Sequence, residues 1–305
     1  MKKARVLSTI FISLALAGGA ARAQLPAQGC FLRDYDAAHL RANPAQGVAG
    51  LRLWFYSETT DGSQPAVMVE ARMAGQGQAV RDNVAGQVLT QTGICDGRDS
   101  CYVECDGGLF TAERVEGGLR LTTRFFAVGE QDSCGGTSDL AEGQDRQTVY
   151  QLAAAPDAAC ETLWRQQPLP GPGCYGIEYS DMERGQGLLS IRLRLGAPEP
   201  GYTFAQVQGT FAVALPDGGR ARAAGMGGAR VSVPVWCSTR DGLCRSGIDE
   251  GALAVVPLGQ GMALSTGRFL VFGAEAESLD IAQPGGGETR HQLRLLPDDA
   301  CRGME

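Results

Sequence analysis

The sequence repeats itself, and cysteines mark the repeat. Cys95-Asp-Gly-Arg98-Asp99-Ser-Cys101 returns as Cys237-Ser-Thr-Arg240-Asp241-Gly-Leu-Cys244. Each copy lies inside a wider pair, Cys30 with Cys160 and Cys174 with Cys301. Sliding the second half onto the first sets Cys30-Phe31-x3-Tyr35 on Cys174-Tyr175-x3-Tyr179. It also sets Leu51, Leu53 and Phe55 on Leu189, Ile191 and Leu193, and Val69, Ala71 and Met73 on Phe211, Val213 and Leu215. From Cys101 onward the match runs without a gap: Gly118 meets Gly261, Leu121 meets Leu264, Thr123 meets Thr266 and Phe126 meets Phe269. Both copies close on Pro-Asp-x2-Cys, at Cys160 and Cys301. A chain with this ordered self-similarity is two copies of one unit before it is anything else. The expected organisation is a leader at 1–23, a first domain at 24–160, a Pro/Gly linker at 161–173 and a second domain at 174–305.

Each copy reads as β. Leu189-Ser-Ile-Arg-Leu-Arg-Leu195 alternates strictly between apolar and polar, the pattern of a strand with one buried face. Leu119 to Val128 is rich in strand formers, and Gly pairs such as Asp61-Gly62 and Glu116-Gly117-Gly118 punctuate the runs. About six strands are expected per copy, near 50–56, 66–73, 87–94, 109–115, 119–128 and 148–153, and again near 188–195, 208–215, 229–236, 252–257, 262–272 and 290–295. Short connections favour antiparallel neighbours. The fold class is therefore all-β: two tandem copies of a small antiparallel β-barrel or β-sandwich, stapled by disulfides. One helix is expected, Ala37 to Ala42, capped by Asp36 and stopped before Pro44.

The first residues are a secretory signal. Lys2, Lys3 and Arg5 precede an apolar run from Val6 to Ala17 that is too short to span a bilayer, and Ala21-Arg22-Ala23 fits a cleavage site. Cys30 follows too late, and after too polar a lead-in, to be a lipidated N-terminus, and Cys174 is its internal counterpart. A periplasmic or secreted protein without a transmembrane span is expected. Losing the four cations of the leader takes the net charge from −7 to −11, a poor balance for nucleic acid or anionic lipid. Lys2 and Lys3 are the only lysines, so a mature chain has none for a Schiff base, a phosphate loop or a Ser-Lys pair.

Ten cysteines in an exported chain read as disulfides. Those shared by both copies pair as Cys30–Cys160, Cys95–Cys101, Cys174–Cys301 and Cys237–Cys244. Cys105 and Cys134 occur only in the first copy and so pair with each other. The C-x5-C and C-x6-C spacings are not those of zinc thiolate sites, so no metal is expected on the cysteines.

No catalytic set stands out, and no cofactor is expected. The two histidines are His39, in the helix, and His291, which takes the place of Tyr150 in a strand. With every cysteine paired there is no thiolate nucleophile, and no Gly-x-Ser-x-Gly elbow is present. Glu178, Asp181, Glu183, Asp249 and Glu250 are available as an acid–base pair, but no spacing selects two of them. The acidic loop of Glu130, Asp132, Asp139, Glu142 and Asp145 lacks the regular spacing of a calcium loop. Arg98, Asp99, Arg240 and Asp241 are the polar residues repeated at one place in both copies, and are the candidate binding residues. The alternative is that the aspartates accept backbone N–H groups within a turn while the arginines pack over the disulfide.

The opening Cys30-x4-Tyr35-Asp-x2-His39-Leu40-x3-Pro44-x-Gln46-x-Val48 resembles the start of exported, uncharacterised bacterial β-rich proteins with a Cys…Tyr-(Asp/Ser)-x2-His-Leu pattern. The likeness covers about twenty residues, and the second copy keeps only Cys174 and Tyr179 of it. It implies export and a β-rich domain, and carries over no activity. The reading that follows is a non-catalytic binding or interaction protein of the bacterial envelope, with a protein or glycan partner. An inhibitor of a secreted lysozyme or protease, presenting the Cys95–Cys101 loop, is the alternative, and a carboxylate-based hydrolase is the third.

Overall fold

A computed structural model describes residues 28–103, 106–129, 136–142, 147–180, 187–247, 250–273, 277–282 and 288–304. The first copy contains β1 (Gly29–Asp34), β2 (Val48–Ser57), β3 (Pro65–Met73), β4 (Val88–Cys95), β5 (Ser100–Tyr102), β6 (Gly108–Val115), β7 (Gly118–Val128), β8 (Ser138–Asp139) and β9 (Thr148–Ala155). Strands β1 to β7 pair in sequence order, and β9 closes the ring between β7 and β1. The result is an eight-stranded antiparallel barrel, with β8 attached outside it on β7. The second copy builds the same closed barrel from β10 (Gly173–Glu178), β11 (Ser190–Glu199), β12 (Gln206–Ala214), β13 (Arg230–Ser238), β14 (Leu243–Arg245), β15 (Gly251–Leu258), β16 (Gly261–Phe272) and β18 (Thr289–Leu296). Here β17 (Ser278–Asp280) is the outer strand on β16. Of the two all-β architectures left open by the sequence, the barrel is the one that forms.

Alternation fills the interiors. Leu51, Leu53 and Phe55 of β2 face Val67, Val69 and Ala71 of β3 inside the first barrel, all buried. Ile191, Leu193, Phe211 and Val213 do the same in the second. An eight-stranded ring is just wide enough for side chains to fill. The charged side chains Arg52, Arg72, Arg192 and Arg194 occupy the intervening, outward positions. A membrane barrel distributes its residues the other way, with the apolar side facing out.

The two copies agree down to single hydrogen bonds. Thr123 Oγ1 donates to the Leu109 carbonyl and Thr266 Oγ1 to the Ala252 carbonyl, each at 2.8 Å. Asp139 accepts from the Phe126 and Ala141 N–H groups at 3.0 and 2.9 Å, and Asp280 accepts from those of Phe269 and Ala282 at 3.0 Å. Asp139 is thus a structural acceptor within β8, and burial holds its carboxyl above the usual range against those hydrogen bonds. Glu130, Asp132 and Asp145 lie outside the described residues.

Several expectations need correction. Three strands escaped the pattern: β1, the three-residue β5 and the two-residue β8, with their counterparts in the second copy. The repeat register of β2 was also two residues out. Cys30 pairs with Trp54 and Cys174 with Arg194, so Leu51, Leu53 and Phe55 correspond to Ile191, Leu193 and Leu195. Helix α1 (Ala37–Ala42) forms as read, with Asp36 Oδ1 accepting the His39 N–H at 2.7 Å. It has company, however: α2 (Gln78–Arg81), α3 (Glu161–Trp164) and α4 (Gly219–Ala223) are single turns too short to show a helical period.

Four disulfides form as expected, Cys30–Cys160, Cys95–Cys101, Cys174–Cys301 and Cys237–Cys244. Cys105 and Cys134 lie outside the described residues. The first four residues of the expected linker are helix α3, whose Leu163 packs on the outside of the first barrel.

The barrels pack against each other through equivalent hairpins. The β2–β3 loop meets the β11–β12 loop: Thr60 N–H donates to the Gly201 carbonyl at 2.9 Å, and Thr203 N–H to that of Glu58 at 2.8 Å. Phe204 inserts between the two, edge-on to Tyr56 at 5.6 Å and to Trp54 at 6.1 Å.

Candidate functional site

The two Arg-Asp turns do different work. In the first copy the acceptor in the turn is Asp96, not Asp99: its Oδ1 takes the N–H groups of Arg98 at 2.8 Å and Ser100 at 3.2 Å. Burial opposes ionisation there, but these N–H groups outweigh it and hold the Asp96 carboxyl below its ordinary value. Among the described residues the Asp99 side chain accepts from Ser100 Oγ, at 3.2 Å. Arg98 is exposed. In the second copy Asp241 accepts the Leu243 N–H at 3.0 Å and pairs with Arg245 at 2.9 Å. Arg240 points across the junction to Glu58, 3.7 Å away, and Glu58 accepts the Tyr56 hydroxyl at 2.5 Å. Burial and the Glu58 charge push the Tyr56 phenol well up, so it stays a donor. Arg240 therefore belongs to the contact between barrels and Asp241 to its own turn, while Arg98 and Asp99 stand on a stapled turn of the first barrel.

The histidines are held in the fold. His39 Nε2 lies 3.0 Å from Gln46 Oε1, and its ring stacks on Tyr35 at 4.6 Å. His291 Nδ1 lies 2.5 Å from the Tyr179 hydroxyl inside the second barrel, and burial holds its pKa below the usual value. Among the sequence-stated carboxylates, Glu178 pairs with Arg192 at 2.6 Å and Glu250 accepts from Ser246. Asp181, Glu183 and Asp249 lie outside the described residues.

One concave feature of the surface is one the sequence did not announce. It is a groove of about 210 Å³ on the outside of the second barrel, over β11, β12 and β13 and under the segment 300–304. Its polar walls are Glu178, Arg192, Arg230 and Arg302, with Ser190 and Ser232, and Ala212, Ala214 and Met304 supply apolar floor. Met304 follows Cys301 as Leu163 follows Cys160, and both are buried against their barrel. The disulfides thus fix the covering segment in both copies.

What lies beneath that segment differs. In the first barrel Glu70, paired across the strands with Arg52, is buried and hydrogen-bonded to Arg52 and to Thr162 Oγ1, the latter at 3.1 Å. Arg72 is bound to Asp34 at 2.8 Å. The register places Ala212 at the position of Glu70, Ala214 at that of Arg72 and Arg230 at that of Val88. Counting from the paired cysteines places Arg302 at that of Glu161. Two truncations to alanine open the space, and two new arginines line it. Arg192 keeps the place of Arg52 but donates instead to Glu178 and to the carbonyls of Ile177 at 3.2 Å and Ile191 at 3.1 Å. No hydrogen bond or ion pair engages the guanidinium of Arg230 or Arg302 among the described residues. A concentration of arginine on a chain of net charge −7 is a local reversal of the overall field. Only the pairing of strands reveals it, because Arg192, the two alanines, Arg230 and Arg302 lie on separate segments of the chain.

Within the described residues no helix is long and apolar enough to cross a membrane. Compared with known proteins, the chain matches no family model, no curated protein and no solved structure.

Proposed function

We propose that the chain is an exported, non-catalytic binding protein of the bacterial envelope, and that the groove on the second barrel is its binding site. The observation that carries this reading is the divergence of one face while the frame around it is retained. Both copies keep the barrel, the staples and the covering segment, yet the first closes the space beneath with the Arg52–Glu70–Thr162 network and the second leaves it open. The filled barrel interiors and the histidines occupied with Gln46 and Tyr179 support a binding role over catalysis. The leader at 1–23 and the disulfides support export. The test is capture from envelope extract on immobilised full-length protein, wild type against Ala212→Glu. Capture that disappears in the variant supports the groove as the site. Hydrolysis of a substrate panel, with nothing captured, would overturn the reading.

One observation favours a second reading, an inhibitor of a secreted hydrolase. The turn carrying Arg98 is stapled and exposed, and it adjoins a row of exposed apolar side chains. Ile94, Tyr102, Leu109 and Phe125 are cross-strand neighbours in succession on the outside of the first barrel. The corresponding row of the second barrel is Trp236, Arg245, Ala252 and Arg268. Inhibition of a lysozyme or protease that Arg98→Ala abolishes is the expected result on this reading, and an inactive wild type against both classes removes it.

A further inference from the structure

We infer that the groove on the second barrel is a receptor for a carboxylate group, an inference that rests on the binding reading above and names the chemistry of the ligand. The first barrel supplies the template. At the position of Ala212 it carries a carboxylate of its own, Glu70, held by the guanidinium of Arg52 and the hydroxyl of Thr162 beneath the covering segment. The second barrel keeps the guanidinium as Arg192 and removes the carboxylate. At these positions the first copy sets Asp34, Glu70 and Glu161 against Arg52 and Arg72. The second sets Glu178 alone against Arg192, Arg230 and Arg302. The face has exchanged a satisfied acid for an unfilled excess of arginine.

The excess selects an anion, and the shape narrows it. Guanidinium presents a planar fork that matches carboxylate through two parallel N–H donors. Arg192 currently uses its Nη2 on Glu178, whose side chain is 75% exposed, so an entering carboxylate competes with a weakly held surface partner. Arg230 and Arg302 approach the groove from β13 and from the covering segment, and among the described residues neither is paired with an acid. Ala212, Ala214 and the Met304 side chain offer apolar contact to a short carbon chain. A volume of about 210 Å³ admits a small dicarboxylic acid or the last residue or two of a peptide, and excludes a bulky polyanion such as a nucleic acid strand. The chemistry shared by these ligands is the carboxylate.

Nuclear magnetic resonance titration of the full chain tests this, with succinate, inorganic phosphate, and one tripeptide in free-acid and C-terminally amidated forms as probes. Succinate or the free-acid peptide is expected to move the amide resonances of β11, β12 and residues 300–304, and the amidated peptide to leave them in place. Binding by succinate alone identifies a free small acid as the ligand, and binding by the free-acid peptide identifies a chain end. Arg230→Ala and Arg302→Ala should each weaken binding roughly ten-fold, the scale of one charge-assisted contact. Ala212→Glu should abolish it, with circular dichroism unchanged, because the variant supplies the group that the ligand would bring. Phosphate bound as well as succinate, or succinate bound undiminished by Ala212→Glu, would overturn the carboxylate assignment. No shift with any probe, together with Ala212→Glu still abolishing capture from extract, would overturn the carboxylate while leaving the binding reading. Failure of both experiments would remove both.

Discussion

His291 occupies in the second barrel the place that Tyr150 occupies in the first, each paired with the neighbouring leucine of the adjacent strand, Leu264 and Leu121. The Tyr150 hydroxyl donates to the Leu140 carbonyl at 2.5 Å, whereas His291 meets the Tyr179 hydroxyl. One barrel therefore holds a buried imidazole where its twin holds a phenol. Burial depresses the His291 pKa below its ordinary 6.5, so the folded protein resists a proton that the unfolded chain accepts. Stability is then fully present above about pH 6.5 and falls as the pH drops through and below it. Thermal melts at pH 8 and pH 5 should show a smaller drop in His291→Tyr than in wild type. A drop of equal size would assign the acid sensitivity to other groups.

The long staples should outweigh the short ones. On the loop-entropy relation, closing the 127-residue loop between Cys174 and Cys301 stabilises by about 5 kcal/mol, and closing the 7-residue loop of Cys237–Cys244 by about 2.4 kcal/mol. Urea unfolding of the two double Cys→Ser variants measures the difference. Equal losses would show that native-state packing around the sulfurs, not chain entropy, dominates.

At the junction the aromatic contact should matter more than the ionic one. Phe204 is 1% exposed against Trp54 and Tyr56, and its truncation to alanine should cost about 3–5 kcal/mol of packing. The Arg240–Glu58 pair is 3.7 Å apart and partly solvated, so Arg240→Ala should cost no more than about 1 kcal/mol. Calorimetry should show the melting of the two barrels separating in Phe204→Ala and remaining joined in Arg240→Ala. The reverse ranking would make the charge the coupling element.

Gly251 is expected to be the least replaceable glycine of the second barrel. Its φ is +86°, and a Cβ there would run into the Arg268 carbonyl, just as one on Gly108 would meet that of Phe125. Gly251→Ala should lose at least about 2 kcal/mol, since strained backbone and a backbone clash combine. Gly259→Ala makes the control: its φ is also positive, at +58°, but nothing lies within 4 Å. Equal costs would mean that φ alone sets the penalty.

The repeat made most of the frame legible. Paired cysteines at matching intervals gave the four staples, and strict alternation gave the long strands. Short strands failed for want of length: Ser100–Tyr102 is too brief to display a period of two. The two-residue slip between β2 and β11 has a more instructive cause. Leu189, Ile191, Leu193 and Leu195 alternate uniformly, so shifting by two preserves every inward and outward assignment. Only the pairing with β1 and β10 distinguishes the registers. The groove was hidden for a related reason. Ala212 beside Arg192 is unremarkable in sequence, and becomes a missing carboxylate only when Glu70 beside Arg52 is set over it. The candidate turns were visible because they are contiguous, yet their arginine faces the junction in one copy and the open surface in the other.

The frame disulfides also decide how the molecule responds to tension. Cys30–Cys160 and Cys174–Cys301 each join the first strand of a barrel to the turn just beyond its last strand. A pull applied outside either barrel runs across one covalent sulfur bridge and bypasses the 130 or 127 residues in between. Under load the two oxidised barrels would resist extension, and the short connection between them would lengthen first. Both barrels would keep their shape under load, and reduction would make the residues inside each bridge extensible.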